Sequence, residues 1–363
     1  MPVNASLLLP LVAVLAPGPP DLSRAAGFTP GPFALGLRPE RLHDTSRSWP
    51  SASDPAGAKG RPLQITLWYP AHAGDEPGAS IEEMVLADAT FGSEAAGRSA
   101  ASGSALAAAR TAFDAGAGRA LTDAEWQRVL ETRSVARLGV QPLPGRRALV
   151  LLESGLGSRS FTLAPVAELL ASHGYVVAAL ATEGASEKDR LGFDLVGVRA
   201  QVDDMKLALS HLRDRPEVDP RRVGLVSWSV GGVSQAILRL EAPKDFRAAV
   251  SLDSGSGYAY GAEILRQAGG ADPARLTVPF LHFDVGRANT PVPKDDGFLR
   301  AHPVGSARRV LLEDMRHADF TLSHGAGCVV ATGQAPPAAA RALSQTLLAF
   351  LDAHLPTRRT EER

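Results

Sequence analysis

The second half of the chain alternates continuously apolar runs with segments of helical periodicity. The apolar runs lie at 148–154, 175–182, 223–229, 248–254, 278–285 and 308–315, and the helical patterns at 161–173, 198–214, 230–242 and 338–355. Runs of Val, Leu and Ala without polar alternation are typical of strands buried on both faces, as in a parallel sheet covered by helices. The sequence therefore predicts an α/β fold with a mostly parallel, doubly wound sheet.

A strand-like run and an Ala-rich stretch precede this pattern. Residues 62–70 (PLQITLWYP) predict a strand, whereas residues 41–60 are polar and rich in Pro and Gly, which predicts a loop. The stretch at about 81–133 predicts two or three helices inserted before the main sheet. We expect residues 27–363 to form a single domain, with this helical insertion as a lid.

Residues 1–26 predict a signal peptide or a disordered tail. The apolar run 7–16 (LLLPLVAVLA) has the size of a signal-peptide core and is followed by small residues, although no Lys or Arg precedes it. It is too short for an ordinary transmembrane helix, and no later segment predicts a stable membrane anchor. We expect an exported protein, periplasmic or secreted, with a cytoplasmic one as the alternative.

Charge and cysteine content argue against several classes of partner and cofactor. Lys and Arg total 38 against 39 Asp and Glu, a net charge of −1, so we expect neither nucleic acid nor anionic membrane as a partner. The single cysteine, Cys328, excludes an intramolecular disulfide and a thiolate metal site. The nine histidines form no His-x-His pair and no His-Glu-x-x-His run. We therefore expect no metal and no cofactor.

The most informative motif is Val223–Gly232 (VGLVSWSVGG), in which a buried strand runs into Ser-Val-Gly-Gly and then a helix. This is the context of a nucleophile elbow, a tight turn that projects a serine from the edge of the sheet above a helix N-terminus. The turn requires small residues two positions before and after the serine. Ser227 and Gly231 meet this requirement for Ser229, whereas Leu225 excludes Ser227. Ser229 is the predicted nucleophile; the alternative is a serine that only caps the helix.

A serine nucleophile needs a base and an orienting acid, which follow it in the order acid, then histidine, in α/β-hydrolases. His317 follows the run 308–315, in a loop at the edge of the sheet where such sites are built. The other downstream histidines are less suitably placed: His282, His302, His324 and His354.

Two aspartates compete for the role of the acid. Asp253 ends the strand after the elbow and precedes Ser-Gly-Ser-Gly, a loop that places it at the sheet edge, while Asp284 lies inside the next strand. We favour Asp253 and keep Asp284 as the alternative.

The oxyanion of the reaction needs two backbone N–H donors. One is expected from Val230, directly after the nucleophile. The other is expected from Leu156, in the turn Ser-Gly-Leu-Gly that closes the first strong strand.

Four segments together resemble a known family: LVLLESGLGSRSFTLAPVAELLASHGYVVAA, SWSVGG, VSLDSGSGY and HADFTL. They are similar to plasma-type platelet-activating factor acetylhydrolases and their bacterial relatives over about residues 60–355, except near 80–135. The resemblance implies an α/β-hydrolase fold with site residues at the matching positions Ser229, Asp253, His317, Leu156 and Val230.

Three departures from that family bear on the acyl pocket. Ser154 stands where the family has His, Ser227 stands where it has Gly, and Ala318 alone separates His317 from Asp-Phe-Thr. Trp228 before the serine also resembles the elbow of cutinase-like polyester hydrolases.

The resemblance implies a serine hydrolase that cleaves short-chain acyl esters, with a small molecule or a lipid, including phospholipids, as its substrate. The first alternative is a cutinase-type or dienelactone-type hydrolase of other esters. The second is an inactive hydrolase fold that serves for binding, which is disfavoured because all three site residue types are present.

Overall fold

The computed structural model describes residues 21–51, 53–90, 95–155, 157–184, 186, 192–269, 272–286, 290, 292–303 and 305–356. Two sequence predictions fall outside these residues. They are residues 1–20 of the segment predicted as a signal peptide or disordered tail, and the backbone amide of Leu156. The last six residues of that segment, 21–26, are described, and Leu22 and Ala25 among them are buried in the apolar core. The boundary predicted between residues 26 and 27 was therefore wrong, because the packed part of the chain already includes Leu22.

A single sheet of nine strands organises the described residues. In chain order the strands are β1 (Leu35–Asp44), β2 (Arg61–Pro70), β3 (Ala136–Leu138), β4 (Arg147–Glu153), β5 (Val176–Leu180), β6 (Val218–Trp228), β7 (Ala248–Leu252), β8 (Phe280–Val285) and β9 (Ala307–Leu312). Their order across the sheet is β3-β1-β2-β5-β4-β6-β7-β8-β9. Only β2 runs antiparallel to its neighbours within this sheet.

The predicted fold class is confirmed, and each of the six apolar runs overlaps one of the strands β4 to β9. One local prediction was wrong, because residues 41–44 belong to β1 and not to a loop. Their polar side chains concealed the strand from sequence analysis. Pairing with β2, from Leu35 opposite Pro70 to Asp44 opposite Arg61, satisfies the backbone of β1 and lets those side chains lie in partly exposed positions.

Helices cover both faces of the sheet. They are α1 (Leu22–Ala25), α2 (Ile81–Thr90), α3 (Ala95–Ala117), α4 (Asp123–Glu131), α5 (Ala164–Ser172), α6 (Leu195–Arg213), α7 (Gly231–Glu241), α8 (Ala259–Gln267), α9 (Gly297–Arg300), α10 (Ala326–Thr332) and α11 (Ala339–His354). One apolar core lies between the sheet and a layer that includes α5, α10 and α11. The other lies between the sheet and α6, α7 and α8. No described helix has both the length and the apolar composition of a membrane span.

The helices α2, α3 and α4 lie between β2 and β3 in the chain and share the first core with the sheet. Val85 and Phe113 are buried in that core, and Arg128 of α4 donates to the carbonyl of Ala331 in α10 at 3.0 Å. The start of α4 is stabilised by a capping box between Thr122 and Glu125. The insertion is therefore packed onto the rest of the fold through apolar contacts.

Candidate active site

The turn between β6 and α7 holds Ser229 in a strained conformation. Its φ is 57°, a left-handed value that residues other than Gly, Asn and Asp rarely adopt. A Cβ atom on Gly231 would lie 2.6 Å from the carbonyl oxygen of Ser154, so the position two residues after the serine has no room for a side chain. The start of α7 has no side-chain capping hydrogen bond, so the capping role weighed for Ser229 is not what the structure shows.

His317 lies between Ser229 and Asp253. It begins a short 3₁₀ turn after β9, and its Nε2 is 3.1 Å from Oγ of Ser229. On the other side of the ring, Nδ1 is 2.6 Å from Oδ2 of Asp253. With a proton on Nδ1 donated to the carboxylate, Nε2 is free to accept the proton of the serine hydroxyl. The three side chains thus form one continuous hydrogen-bonded line.

Asp253 is fully buried and follows β7 directly, at a left-handed φ of 43°. Besides His317, its carboxylate accepts hydrogen bonds from the Tyr258 hydroxyl and, at 2.6 Å, from Nζ of Lys294. Burial alone would raise the pKa of Asp253, but the hydrogen bonds from His317, Lys294 and Tyr258 outweigh it and lower the pKa to about 2. The three hydrogen bonds therefore favour the ionised carboxylate, which is the form that accepts the Nδ1 proton of His317.

Asp284, the alternative acid, lies inside β8 and has different partners. Its Oδ1 is 2.6 Å from Nζ of Lys294, and its Oδ2 accepts hydrogen bonds from the Arg309 guanidinium. Asp253 thus contacts His317 directly, whereas Asp284 is connected to Asp253 only through Lys294.

Two tyrosines and a lysine at this site were missed by sequence analysis. Burial raises the pKa of Tyr258 well above its usual range, so its hydroxyl remains a hydrogen-bond donor to Asp253. Burial likewise raises the pKa of Tyr260 to about 12, and its ring stacks on that of Tyr258 with the centroids 5.9 Å apart. The segment VSLDSGSGY contains Tyr258, but no local motif distinguishes Lys294, which lies 41 residues from Asp253 in the chain.

The expected oxyanion donors can be placed only in part. Val230 directly precedes the first residue of α7. The backbone N–H groups at the start of a helix have no hydrogen-bond acceptor within the helix, so the N–H of Val230 is suited to donate to an oxyanion. Gly155, which directly precedes Leu156 in the chain, packs against the elbow, since a Cβ atom on Gly155 would lie 3.0 Å from Cβ of Ser229. The position of the Leu156 amide itself lies outside the described residues, so its role stays a prediction.

The other downstream histidines have partners away from Ser229. Buried His282 is 2.6 Å from Oγ of Ser251, and burial lowers its pKa to about 4. The Nδ1 of His302 donates to the Phe298 carbonyl at 3.1 Å. Within the described ranges, no set of three or more His, Cys, Asp or Glu side chains is arranged to hold a metal ion.

A cavity of about 630 Å³ lies between the insertion and the loops of the site. One wall is a row of small residues on α3 that includes Ala101, Ala105 and Ala112. On other sides it is bounded by Gly157, of the turn that contains Leu156, and by Leu322, shortly after His317. The cavity is therefore built between the two loops that flank the elbow.

Comparison with known structures identifies the architecture. A ferulic acid esterase from Streptomyces cinnamoneus superimposes with a TM-score of 0.59 at 24% sequence identity, covering 89% of this chain and 90% of that chain. The chain has an α/β-hydrolase fold.

Three further comparisons match the chain over a shorter range or with a lower structural similarity. The family model described as "Serine aminopeptidase, S33" matches residues 144–265, which include Ser229 and Asp253. A structure named m3DLH has a TM-score of 0.46 at 16% identity, covering 89% of this chain and 99% of its own. A structure described under LipS and LipT, two metagenome-derived lipolytic enzymes, has a TM-score of 0.40 at 15% identity, covering 58% of this chain and 96% of that chain. No curated protein matches the chain. The resemblance to platelet-activating factor acetylhydrolases extends, in these comparisons, only to the shared fold.

Proposed function

We propose that this protein is a serine hydrolase of carboxylic esters, with Ser229 as nucleophile, His317 as base and Asp253 as orienting acid. The proposal is carried by the hydrogen-bonded line from Oγ of Ser229 through both nitrogens of His317 to the buried carboxylate of Asp253. The strained turn at Ser229 presents the hydroxyl at the start of α7, where an oxyanion would face the helix N-terminus.

The reaction would proceed in two halves. Oγ of Ser229 attacks the carbonyl carbon while Nε2 of His317 takes the hydroxyl proton, and the amides of Val230 and Leu156 stabilise the tetrahedral oxyanion. The imidazolium then gives its proton to the alcohol oxygen as the C–O bond breaks, leaving an ester on Ser229. A water molecule, deprotonated by His317, attacks that ester, and collapse releases the carboxylic acid and the free serine.

We propose that the substrate is an ester of a short carboxylic acid with a larger apolar alcohol, as the resemblance to acetylhydrolases implies. Phospholipids that carry a short acyl group are one class of such esters. The alcohol leaves on the side of His317, because this residue protonates the departing oxygen. Leu322, which lines the 630 Å³ cavity, follows His317 closely in the chain, so the cavity is suited to hold the apolar alcohol. In this proposal the insertion acts as the lid of that cavity, and the protein works after export.

The first experiment compares p-nitrophenyl acetate hydrolysis by the wild-type protein and the Ser229→Ala variant. We expect kcat to fall by about 10⁴ or more with the fold retained, since the nucleophile is lost. Ser344→Ala, in α11, is the matched control and should keep wild-type activity. Equal rates for wild type and Ser229→Ala would refute the proposal.

The two alternative functions are distinguished from the proposed one by separate measurements. A cutinase-type or dienelactone-type hydrolase would differ in acyl preference, which a series of p-nitrophenyl esters of increasing acyl length measures. An inactive hydrolase fold would fail to react with a fluorophosphonate at Ser229, although it would still be folded by circular dichroism.

A further inference from the structure

Lys294 lies between the two acids that compete in the sequence. Its Nζ is 2.6 Å from Oδ1 of Asp253 and 2.6 Å from Oδ1 of Asp284. The lysine side chain is only 8% exposed, and its Nζ also lies 4.3 Å from the centre of the Tyr258 ring. A lysine buried to this extent is rare unless it is paired, and here it is paired with both acids.

The backbone holds Lys294 in this position. Tyr258 and Lys294 form an antiparallel bridge between two loops. On either side of it, the amide of Asp295 donates to the Gly257 carbonyl at 2.9 Å, and the amide of Ala259 donates to the Pro293 carbonyl at 3.1 Å. The lysine is therefore part of the same framework that carries the loop after Asp253, and its ammonium group does not depend on a flexible surface contact.

The charges around Lys294 come from several elements. His317 and Tyr258 share Oδ2 of Asp253, while Arg309 of β9 binds Oδ2 of Asp284. Arg309 also binds Asp296, which pairs in turn with Arg300. His282 of β8 and Tyr260 of α8 interact with the acids as well. The cluster next to the imidazole thus joins three carboxylates, those of Asp253, Asp284 and Asp296, to three cations, Lys294, Arg309 and Arg300. Without the lysine, two acids would remain close together behind His317 with one cation fewer.

We propose that Lys294 is a positioning residue that holds the Asp253 carboxylate against His317 and offsets part of the negative charge facing the imidazole, and thereby sets the acidic limit of the reaction. The inference rests on the proposed function. It adds Lys294 to the site and assigns to it an effect on the pH dependence of the reaction, which the line of Ser229, His317 and Asp253 does not explain by itself.

The direction of the effect follows from Coulomb's law. Loss of the lysine cation leaves more of the negative charge that faces His317 without compensation and so favours the imidazolium, which moves the acidic limb of the activity profile to higher pH. Loss of the Asp284 carboxylate acts in the opposite direction, because it removes a negative charge from the same cluster. A merely structural disturbance would have no reason to give shifts of opposite sign.

The test measures kcat/KM against pH for wild type, Lys294→Met, Lys294→Arg and Asp284→Asn. We expect the acidic limb to move up by about one pH unit in Lys294→Met, to stay near wild type in Lys294→Arg, and to move down in Asp284→Asn. The matched control is Lys206→Met, which removes an exposed lysine that also pairs with two acids, Asp203 and Glu241. That control should leave the profile unchanged.

A second readout separates this inference from the proposed function. The imidazole of His317 is titrated by NMR in the full chain, with its resonances assigned by comparison with His317→Gln. The midpoints for His317 are compared between wild type and the Lys294 and Asp284 variants. If they shift as predicted but the wild-type protein hydrolyses no ester, the role of Lys294 is supported and the esterase function is refuted. An unchanged midpoint in folded Lys294→Met, or shifts of the same sign in Lys294→Met and Asp284→Asn, would overturn the inference.

Discussion

The indole of Trp228 stacks on the imidazole of His317, with ring centroids 5.0 Å apart, and its Nε1–H donates to the backbone carbonyl of the same histidine at 2.7 Å. Trp228 directly precedes Ser229, so a single side chain connects the elbow after β6 to the loop after β9. The distance between nucleophile and base is therefore controlled by packing between two segments that are remote in sequence.

Trp228→Phe tests this connection. Phenylalanine keeps an aromatic surface against His317 but removes the N–H donor, so we expect kcat to fall by about tenfold with KM little changed, since misplacing the base affects the transition state more than binding. The control is Trp126→Phe, in α4, where the aromatic side chain packs on Phe113. A wild-type kcat in Trp228→Phe would show that the hydrogen bond does not position His317.

The two aspartates should differ in their effect at neutral pH. Asp253→Asn removes the acceptor for Nδ1 of His317, and we expect kcat/KM to fall by about 10³ to 10⁴, as when the orienting acid of a serine hydrolase is replaced. Asp284→Asn should cost less than about tenfold at pH 7.5, because Asp284 acts only through Lys294. Both variants are measured with the same ester. The reverse ranking would make Asp284 the orienting acid.

The cavity beside α3 should govern the size of the alcohol. Ala105→Phe places a ring in its wall, so we expect kcat/KM for dodecyl acetate to fall by about tenfold while that for ethyl acetate changes by less than about twofold. The control is Ala107→Phe, at an exposed position of the same helix. An equal loss for both esters would mean that the cavity does not hold the alcohol.

A buried acid in α5 should make stability depend on pH. Burial raises the pKa of Glu168 to about 7, with Oγ of Ser23 donating to its carboxyl at 3.1 Å. The folded state therefore keeps a proton that the unfolded state has already lost above its pKa of about 4.3. The stabilising contribution is full below that value, declines by about 1.4 kcal/mol per pH unit as the pH rises, and levels off above about 7.

Glu168→Gln removes this titration while keeping the shape of the side chain. The measured quantity is the difference in the free energy of unfolding between the variant and wild type, obtained by urea unfolding. We expect this difference to increase in favour of the variant from pH 5 to pH 7 and to stay constant from pH 7 to pH 8. Exposed Glu131→Gln is the control. A difference between Glu168→Gln and wild type that does not change with pH would contradict the prediction.

The sequence by itself determined the sheet and the neighbourhood of the site. Uninterrupted Val, Leu and Ala runs are typical of strands buried on both faces, which made β4, β5, β7 and β8 predictable. The edge strand β9 was predicted from a shorter apolar run, and most of its residues are exposed. Parallel strands present their carboxyl ends at one edge, which explains why Ser229, Asp253 and His317 lie together in the structure.

The tertiary structure alone decided which acid contacts His317 and what surrounds that acid. Asp253 directly follows β7, and Asp284 lies inside the adjacent strand β8. The Ser-Gly-Ser-Gly loop after Asp253 favoured this acid but left Asp284 as an alternative, and the left-handed backbone at Asp253 that directs its carboxylate to the histidine is seen only in the folded chain. Lys294 and Trp228 act through contacts with residues 41 and 89 positions away, respectively. Such contacts depend on how loops pack after the strands have paired, and the pattern of apolar residues that predicts the strands contains no information about that packing.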